Sequence, residues 1–226
     1  MCNPACINFV RESLDLSQVS GKDVIEVGSL DVNGTVRPYV QSLKPYSYVG
    51  VDITSGPGVD EICDASRLCE RFGESRFDVV ISTEMMEHIR DWQVVTNNLK
   101  QILRPGGALV LTTRSLGFEY HGFPYDFWRY EINDMEVIWS DFLIERVVAD
   151  PLSPGVFVKA TKPHSFRERD LSNYGLYSMV KQQRVPQITW LDFYSFQFRY
   201  HQNRTWALLN RIPHGAFRRT RALLKI

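Results

Sequence analysis

Residues 22–34 read KDVIEVGSLDVNG, an apolar run that carries one acid, Glu26, followed by a turn between Gly28 and Gly34. Apolar residues on both sides of the acid are typical of a parallel strand that is buried on both faces. The two glycines let the backbone turn tightly and approach a ligand closely. The stretch therefore predicts a strand whose carboxyl end forms one wall of a cofactor pocket.

A second strand is predicted by YVGVD, which places Asp52 at the end of another apolar run. A carboxylate at this position can accept hydrogen bonds from two ribose hydroxyls. Phosphate-binding turns normally read G-x-G-x-x-G or G-x-x-x-x-G-K-[ST], and the turn after Glu26 has neither pattern. Glu26 and Asp31 instead place negative charge around that turn. This charge favours a ligand with an ammonium or sulfonium group over a pyrophosphate.

Two later motifs extend the pattern. FDVVISTEMMEH (77–88) reads as a buried strand, and LKQILRPGGALVLTTRS (99–115) reads as a helix end, a Pro-Gly-Gly turn and another strand. Together with EVGSLDVNG and YVGVD, these motifs resemble those of class I S-adenosylmethionine-dependent methyltransferases in order and spacing, over roughly residues 20–162. The commoner family turn is E/D-x-G-x-G-x-G, whereas this chain has E-V-G-S-L-D-V-N-G. With HGFPYDFWRY (121–130), the variant resembles a bacterial subgroup that methylates small molecules or glycans.

The alternation of strands and helices predicts an α/β fold with right-handed crossovers. Strands are predicted at 23–27, 48–52, 60–63, 77–82, 107–113, 142–149 and 155–161, and helices at 5–17, 34–43, 65–71, 85–103 and 131–140. The last two strands are joined closely enough to form a hairpin. We therefore expect a Rossmann-like, seven-stranded, mostly parallel sheet with a closing antiparallel hairpin, as the resemblance also implies, and a helical, basic C-terminal extension.

The composition supports one substantial core with an appendage, because 44% of the 226 residues are hydrophobic. We predict a methyltransferase domain at 1–162 and an aromatic, basic extension at 163–226, which begins with an irregular connection over 163–180. Residues 1–180 contain 17 Lys or Arg against 25 Asp or Glu, whereas residues 181–226 contain 9 against 1. Four cysteines without a C-x-x-C pair, and no leading apolar segment, predict a cytoplasmic protein.

The extension has three interpretations. Its last part, RTWALLNRIPHGAFRRTRALLKI (204–226), reads as two helical segments broken at Pro213 to Gly215. Such a basic amphipathic segment packs on the catalytic domain or a second subunit, lies on an anionic membrane surface as a peripheral contact, or binds nucleic acid. Helical charge patterns discriminate poorly, so these alternatives stay open, with nucleic acid placed last.

The first strand end and its turn supply five predicted cofactor residues. Glu26 attracts the ammonium of S-adenosylmethionine, directly or through water, and Gly28 leaves room for the methionyl portion. Ser29 and Asp31 hydrogen-bond in the same turn, with the alternative that Asp31 caps the following helix. Gly34 completes the turn. Once water is excluded, each charged element of the cofactor requires such a partner.

Strands two and three supply the nucleoside contacts. Asp52 bridges the ribose hydroxyls and Ile53 lies against the adenine face. The segment EICDASRL (61–68) contains Asp64 and Ala65, and the resemblance implies that this position offers an acceptor to the adenine amino group. Asp64 also suits the N-cap of a helix that begins at Ala65, and both roles are compatible.

The fourth strand ends at Ser82, Thr83 and Glu84, where the sulfonium end of the cofactor is expected. His88 lies one helical turn further along and either faces the cofactor edge or has a structural role. We predict no metal site, because the sequence shows no compact cluster of His and carboxylate residues with ligand spacing.

The loop SLGFEYHGFPYDFWRY (115–130) follows the fifth strand and is predicted to form the acceptor wall. Transfer to a hydroxyl requires a proton acceptor, and His121 is nominated as the general base, with Asp126 as the second candidate. The substrate contacts are assigned to Tyr125, Trp128 and Arg129. Alternatively, His121 and Asp126 brace the loop and Asp126 pairs with Arg129.

The sequence thus predicts an S-adenosylmethionine-dependent methyltransferase that methylates an oxygen of a small molecule, sugar or glycan precursor. One alternative is methylation of RNA or of a lipid-linked acceptor, guided by the basic extension. Another is a non-catalytic module that binds the cofactor and a protein partner. The acid at Glu26, the acid at Asp52 and the aromatic loop together favour catalysis.

Overall fold

The computed structural model describes residues 3–122 and 125–210, with side chains up to residue 202. Its helices are α1 (Pro4–Ser13), α2 (Leu16–Val19), α3 (Arg37–Ser42), α4 (Leu68–Phe72), α5 (Trp92–Ile102), α6 (Ile132–Ile138) and α7 (Trp190–Asn210). Its strands are β1 (Asp23–Val27), β2 (Ser47–Asp52), β3 (Glu61–Ile62), β4 (Phe77–Thr83), β5 (Leu103–Arg114), β6 (Trp128–Arg129), β7 (Leu143–Ala149), β8 (Gly155–Thr161), β9 (Leu176–Ser178) and β10 (Gln183–Val185).

The main sheet has seven strands in the order β3-β2-β1-β4-β5-β8-β7. The pairs from β3 to β5 are all parallel, and β8 runs antiparallel to both β5 and β7. The predicted Rossmann-like sheet with a closing antiparallel hairpin is therefore confirmed. The strand order reverses between β1 and β4, so the carboxyl ends of these strands border a crevice, which is where open α/β sheets bind ligands.

Helix α1 covers part of one sheet face. It begins where the Asn3 side chain accepts hydrogen bonds from the amides of Ala5 and Cys6, at 2.8 and 3.1 Å. Its buried Phe9 ring lies 5.2 Å from the Phe157 ring of β8, centroid to centroid. Asp15 caps α2 separately, so the predicted single helix over 5–17 is two helices.

The predicted helix over 85–103 is also interrupted. A 3₁₀ turn covers Met86–His88, and α5 begins only at Trp92. Glu84 precedes this turn with a φ of 54°, a left-handed conformation that a helix cannot continue from. This interruption matters for the site, because it holds residues 84–88 at the carboxyl edge of the sheet instead of in a helix leading away from it.

A second, three-stranded antiparallel sheet has the order β10-β9-β6 and was not predicted. Its strands have only two or three residues, and Trp128 pairs with Ser178, fifty residues away. Such short, non-local strands leave no periodic pattern in the sequence. Residues predicted as an irregular connection therefore contribute to a sheet, and the first compact unit extends to Gln187, beyond the predicted boundary at residue 162.

The second compact unit begins at Ile188, and its described part contains α7. This helix includes the aromatic run that the sequence placed in the extension. The predicted basic segment from residue 211 onward lies outside the described residues. Among the helices that the structure describes, none is both long enough and apolar enough to cross a membrane.

Candidate active site

Backbone hydrogen bonds hold the start of the Gly28–Gly34 turn against the end of β2. The amides of Gly28 and Ser29 both donate to the Val51 carbonyl, at 2.9 and 3.0 Å. Gly28 has a φ of +80°, and a Cβ there would lie 2.7 Å from Cβ of Met85. Glycine is therefore required for its conformation and for close packing against the end of β4. In the direction that a Cβ of residue 28 would take, Met85 fills the space that the sequence assigned to the methionyl portion.

A carboxylate closes this turn, and two buried hydroxyls, one in the turn and one in β4, are unpaired in the part of the chain that the structure describes. Asp31 accepts a hydrogen bond from the Gly34 amide at 2.8 Å, so it closes the turn, while α3 begins later without it. Ser29 Oγ and Ser82 Oγ are buried and have no hydrogen-bond partner within the described residues. Burying an unpaired hydroxyl is costly, so these two predicted cofactor residues retain capacity for a polar ligand.

Asp52 lies beside the turn, as the sequence predicted. Its Oδ2 accepts a weak hydrogen bond from the Leu30 amide at 3.4 Å, and its Oδ1 accepts from the amide and hydroxyl of Thr54 at 3.1 and 3.2 Å. The carboxylate is half-buried at the carboxyl end of β2. This is the position from which an acid can bind a ribose diol.

An open cleft continues from Asp52 along the ends of β2 and β3. It is lined by Ile53, Ile62, Cys63, Asp64, Arg67, Glu70 and Arg71. Ile53 is 53% exposed and offers an apolar surface that a flat base could cover. Asp64 accepts from the Ser66 amide at 2.8 Å and so caps the 3₁₀ turn that begins at buried Ala65. The cleft thus brings together Ile53 and Asp64, two of the three residues that the sequence assigned to adenine, while Ala65 lies buried beside it.

Glu26 is buried at the junction of β1 and β2, where it accepts a hydrogen bond from the Tyr48 hydroxyl. The Arg37 guanidinium lies 4.6 Å from the centroid of the Tyr48 ring. Burial raises the pKa of Glu26 to about 7, although the Tyr48 hydrogen bond and the Arg37 charge oppose that rise. A ligand ammonium would favour the ionised form, which is the role predicted for this acid.

On the other side of the crevice, Glu84 belongs to a buried ionic network. It forms an ion pair with Arg114 at the end of β5, and Arg114 also lies 3.2 Å from Asp150. Cys6 Sγ donates to Glu84 at 3.4 Å, which brings α1 to this edge. Burial raises the pKa of Glu84 well above its usual range, and the charge of Glu87 adds to the effect. Arg114 was not among the predicted site residues, although a charged residue at the end of an apolar strand is a signal in the sequence.

Next to this network, Glu87, His88 and His121 converge. Glu87 is fully buried, and its Oε2 accepts from the Thr113 hydroxyl at 2.8 Å. Its Oε1 lies 3.8 Å from Nε2 of His88 and 3.9 Å from Nε2 of His121. The imidazole rings of the two histidines meet edge to face at 4.9 Å. The sequence predicted no such cluster, because His121 comes from a loop well separated along the chain from the other two residues.

Asp126 orients His121. Its Oδ2 lies 2.9 Å from Nδ1 of His121, and Arg129 donates two hydrogen bonds to the same carboxylate at 2.5 and 2.8 Å. Although burial opposes it, the hydrogen bonds from Arg129 and His121 lower the pKa of Asp126 to about 2. A carboxylate this acidic is a poor proton acceptor near neutral pH, so the geometry supports a positioning role and the pairing with Arg129 that the sequence offered as an alternative.

Two of the three predicted substrate contacts are buried. Trp128 is fully buried and donates from Nε1 to the Ile89 carbonyl at 2.9 Å, and Arg129 is fully buried against Asp126. Their assignment to the substrate is therefore corrected to a structural role, because hydrogen bonds hold both side chains inside the fold. Tyr125 is partly exposed and stacks on Phe127 at 5.5 Å, so it remains available at the loop surface.

The seven-stranded order, with β8 antiparallel to its two neighbours, is that of the class I methyltransferase fold. A family model described as Methyltransferase domain matches residues 7–174, and the chain belongs to that family. The predicted resemblance to S-adenosylmethionine-dependent methyltransferases, with that cofactor, is confirmed at the level of the family.

Among curated proteins, the chain is similar to the ubiquinone biosynthesis O-methyltransferase of Pseudomonas putida (strain W619), with 27% identity over 125 residues. The match covers 49% of this chain and 51% of the relative, so the chain spans about half the length of that protein. Among solved structures, an S-adenosylmethionine-dependent methyltransferase from Mesorhizobium loti has a TM-score of 0.55 at 16% identity, covering 71% of this chain and 99% of that chain.

A second similar structure is the 1,6-didemethyltoxoflavin-N1-methyltransferase of Burkholderia thailandensis, solved with 1,6-didemethyltoxoflavin and S-adenosylhomocysteine. It has a TM-score of 0.54 and 16% identity, and the match covers 71% of this chain and 77% of that chain. At these identities the structural matches establish the fold.

Proposed function

We propose that the protein transfers a methyl group from S-adenosylmethionine to an oxygen of a small molecule. The observation that carries the proposal is the placement of Asp52 after β2, and of the Glu87, His88 and His121 cluster after β4 and β5, at the carboxyl edge of one parallel sheet. The Asp52 carboxylate suits a ribose diol, and the cluster of Glu87, His88 and His121 suits a polar methyl acceptor. Such strand ends surround the ligand crevice in open α/β sheets.

The cofactor side uses residues whose chemistry matches the parts of S-adenosylmethionine. Asp52 would hold the ribose hydroxyls, Ile53 and Asp64 would contact the adenine, and Glu26 would favour the ammonium. The unpaired hydroxyl of Ser29 adds a further donor or acceptor. When bound, the cofactor supplies an electrophilic methyl group on a sulfonium.

The acceptor side must take up a proton. As the acceptor oxygen forms its bond to the methyl carbon, the sulfur keeps the electron pair of the broken bond, and the hydroxyl proton leaves for a base. With Nδ1 directed to Asp126, Nε2 of His121 is the nitrogen that can receive it. Asp126 fixes the ring and stabilises the charge that develops there, which is the usual work of a carboxylate behind a catalytic histidine.

The named relatives support a small acceptor. The Pseudomonas putida relative is a ubiquinone biosynthesis O-methyltransferase, and the Burkholderia thailandensis protein is an N1-methyltransferase solved with 1,6-didemethyltoxoflavin. The buried carboxylates and the His121 base favour oxygen, because a hydroxyl needs proton removal more than a neutral amine does. A sugar or glycan precursor remains within this class of acceptor.

Two alternatives are outcomes of the same test. Methylation of RNA or of a lipid-linked acceptor rests on the basic segment beyond residue 210, and a non-catalytic module requires only cofactor binding. Isothermal titration with S-adenosylmethionine establishes binding, and mass spectrometry of an acceptor library, with RNA and lipid-linked sugars included, detects a gain of one methyl group. Binding with methylation of hydroxylated small molecules supports the proposal; absence of binding, or methylation restricted to RNA or lipid, overturns it.

A further inference from the structure

We propose that Glu87, His88 and His121 form a binding site for a divalent transition-metal ion. One ligand atom from each residue lies within 4.8 Å of the other two. The set contains two imidazoles and one carboxylate, which are donors that Zn²⁺, Co²⁺, Mn²⁺ and Fe²⁺ accept. The proposal deepens the proposed function, because it assigns to the acceptor side an ion that would bind the acceptor oxygen.

Both imidazoles are oriented as metal ligands usually are. Nδ1 of His88 lies 2.5 Å from the Tyr125 carbonyl, which can only accept, so this nitrogen carries the proton. Nδ1 of His121 lies 2.9 Å from the Asp126 carboxylate and 3.3 Å from the Glu119 carbonyl, and neither of these groups can donate, so this nitrogen also carries its proton. A metal-ligating histidine almost always donates its other ring N–H to a carboxylate or a carbonyl. The two Nε2 lone pairs are thereby left for a shared ligand.

The third ligand is an unsatisfied carboxylate oxygen. Glu87 has a fully buried side chain, and Thr113 satisfies Oε2 at 2.8 Å. Its Oε1 has no hydrogen-bond partner within the described residues, and neither has Nε2 of His121. A buried carboxylate oxygen without a partner is costly, and a cation at this point would remove the cost.

The spacing of the three atoms suits a cation. Glu87 Oε1 lies 3.8 and 3.9 Å from the two Nε2 atoms. Two ligands that each lie about 2.1 Å from one ion are about 3 to 3.5 Å apart, so small side-chain movements would close the site. His88 and His121 are 25% and 15% exposed, which leaves an entry path and open coordination positions.

An ion at this site would change how the acceptor is activated. As a Lewis acid it would lower the pKa of a bound hydroxyl, so that the proton leaves to solvent water and the oxygen attacks the methyl carbon as an anion, while the cofactor sulfur keeps the electron pair of the broken bond. Nε2 of His121 cannot bind the ion and take the acceptor proton in the same step. The ligand role and the general-base role of His121 are therefore distinguishable.

The test is Co²⁺ binding to the full-length protein after removal of metals and of any affinity tag. Visible absorption bands that saturate at one Co²⁺ per chain are expected, and Zn²⁺ should displace the ion. Loss of an outer-shell partner typically weakens metal affinity by about 10- to 100-fold. His88→Ala and His121→Ala each remove a direct ligand, so each should raise the Co²⁺ dissociation constant by at least that factor. His164→Ala, at an exposed histidine outside the cluster, should leave binding unchanged.

Three results would overturn the site: no saturable Co²⁺ binding, Co²⁺ binding by His88→Ala and His121→Ala as tight as that of the wild type, or thiolate-to-Co²⁺ charge-transfer bands that assign the ion to cysteines. Circular dichroism establishes that each variant is folded, and His88→Gln and His121→Gln replace any alanine variant that is not. Asp52→Asn separates the two proposals, since it should lose S-adenosylmethionine affinity and keep Co²⁺ affinity. If the wild type binds Co²⁺ yet methylates no acceptor, the metal site stands and the proposed function fails.

Discussion

Nδ1 of His121 lies 2.9 Å from Oδ2 of Asp126, and this contact turns the other ring nitrogen toward Glu87. Asp126 is itself held by Arg129, so the ring orientation is built into the fold of the loop. The arrangement gives His121 a single free nitrogen at the acceptor side. Whether that nitrogen binds a proton or an ion, substitution of His121 should affect chemistry more than cofactor binding.

We expect His121→Ala to lower turnover by about 100-fold or more, because a positioned base contributes on the order of 10²- to 10⁴-fold. The dissociation constant for S-adenosylmethionine should change by less than about threefold, since the residues proposed for the nucleoside, Asp52, Ile53 and Asp64, follow β2 and β3, whereas His121 follows β5. Steady-state kinetics and isothermal titration provide the two measurements. His164→Ala is the matched control, and wild-type turnover in His121→Ala would remove this residue from the mechanism.

Asp52→Asn should weaken S-adenosylmethionine binding by about 10- to 100-fold, which corresponds to about 1 to 3 kcal/mol for loss of a charged acceptor to the ribose diol. The side-chain volume is preserved, so the glycine turn should keep its structure. Isothermal titration measures the effect. Asp91→Asn serves as the control, because Asp91 follows the Met86–His88 turn and pairs with Arg90. Equal affinities for the wild type and Asp52→Asn would contradict the ribose assignment.

Glu26 should make stability depend on pH. Its folded pKa of about 7 is above the ordinary value of 4.5, so the neutral form is the one that the fold favours. The stabilising contribution is fully present below about pH 4.5 and is lost as the pH rises through about 7. The loss is about 3 kcal/mol, and Glu26→Gln should abolish it, because the amide stays neutral and still accepts from Tyr48.

Urea unfolding of the wild type and Glu26→Gln at pH 5 and pH 8 measures this difference. The variant should be the more stable protein at pH 8, and the two should converge at pH 5. The same variant should bind S-adenosylmethionine more weakly at pH 8, because it lacks the carboxylate for the ammonium. Parallel stability curves for the two proteins across this range would show that Glu26 does not titrate there.

Arg114→Met should destabilise the protein by about 3 to 5 kcal/mol, because it leaves Glu84 and Asp150 buried without their cation. Adding Glu84→Gln to this variant should recover part of the loss, since one uncompensated charge is removed. Urea unfolding measures both changes. Arg67→Met removes an exposed ion pair with Glu70 and should leave the unfolding midpoint unchanged. A similar effect of both arginine substitutions would argue against the buried network.

The positions of the residues proposed to bind the cofactor at the ends of β1 and β2 were largely predictable. Glu26, the glycine turn and Asp52 are each close in sequence to the strand that positions them, so the strand pattern alone placed them at one edge of the sheet. The acceptor half was less accessible. Trp128 and Arg129 have the chemistry of substrate contacts, and only their burial shows that Ile89 and Asp126 already occupy their hydrogen-bonding groups.

Hydrophobic periodicity and the order of the motifs were enough to establish the seven-stranded fold, the methyltransferase class and the residues at the ends of β1, β2 and β4. The tertiary structure alone decided that Glu87, His88 and His121 meet, that Asp126 orients one ring and that Arg114 neutralises Glu84. The physical reason is that strand patterns report local burial, whereas side chains from separate loops meet through long-range packing that leaves no periodic trace along the chain.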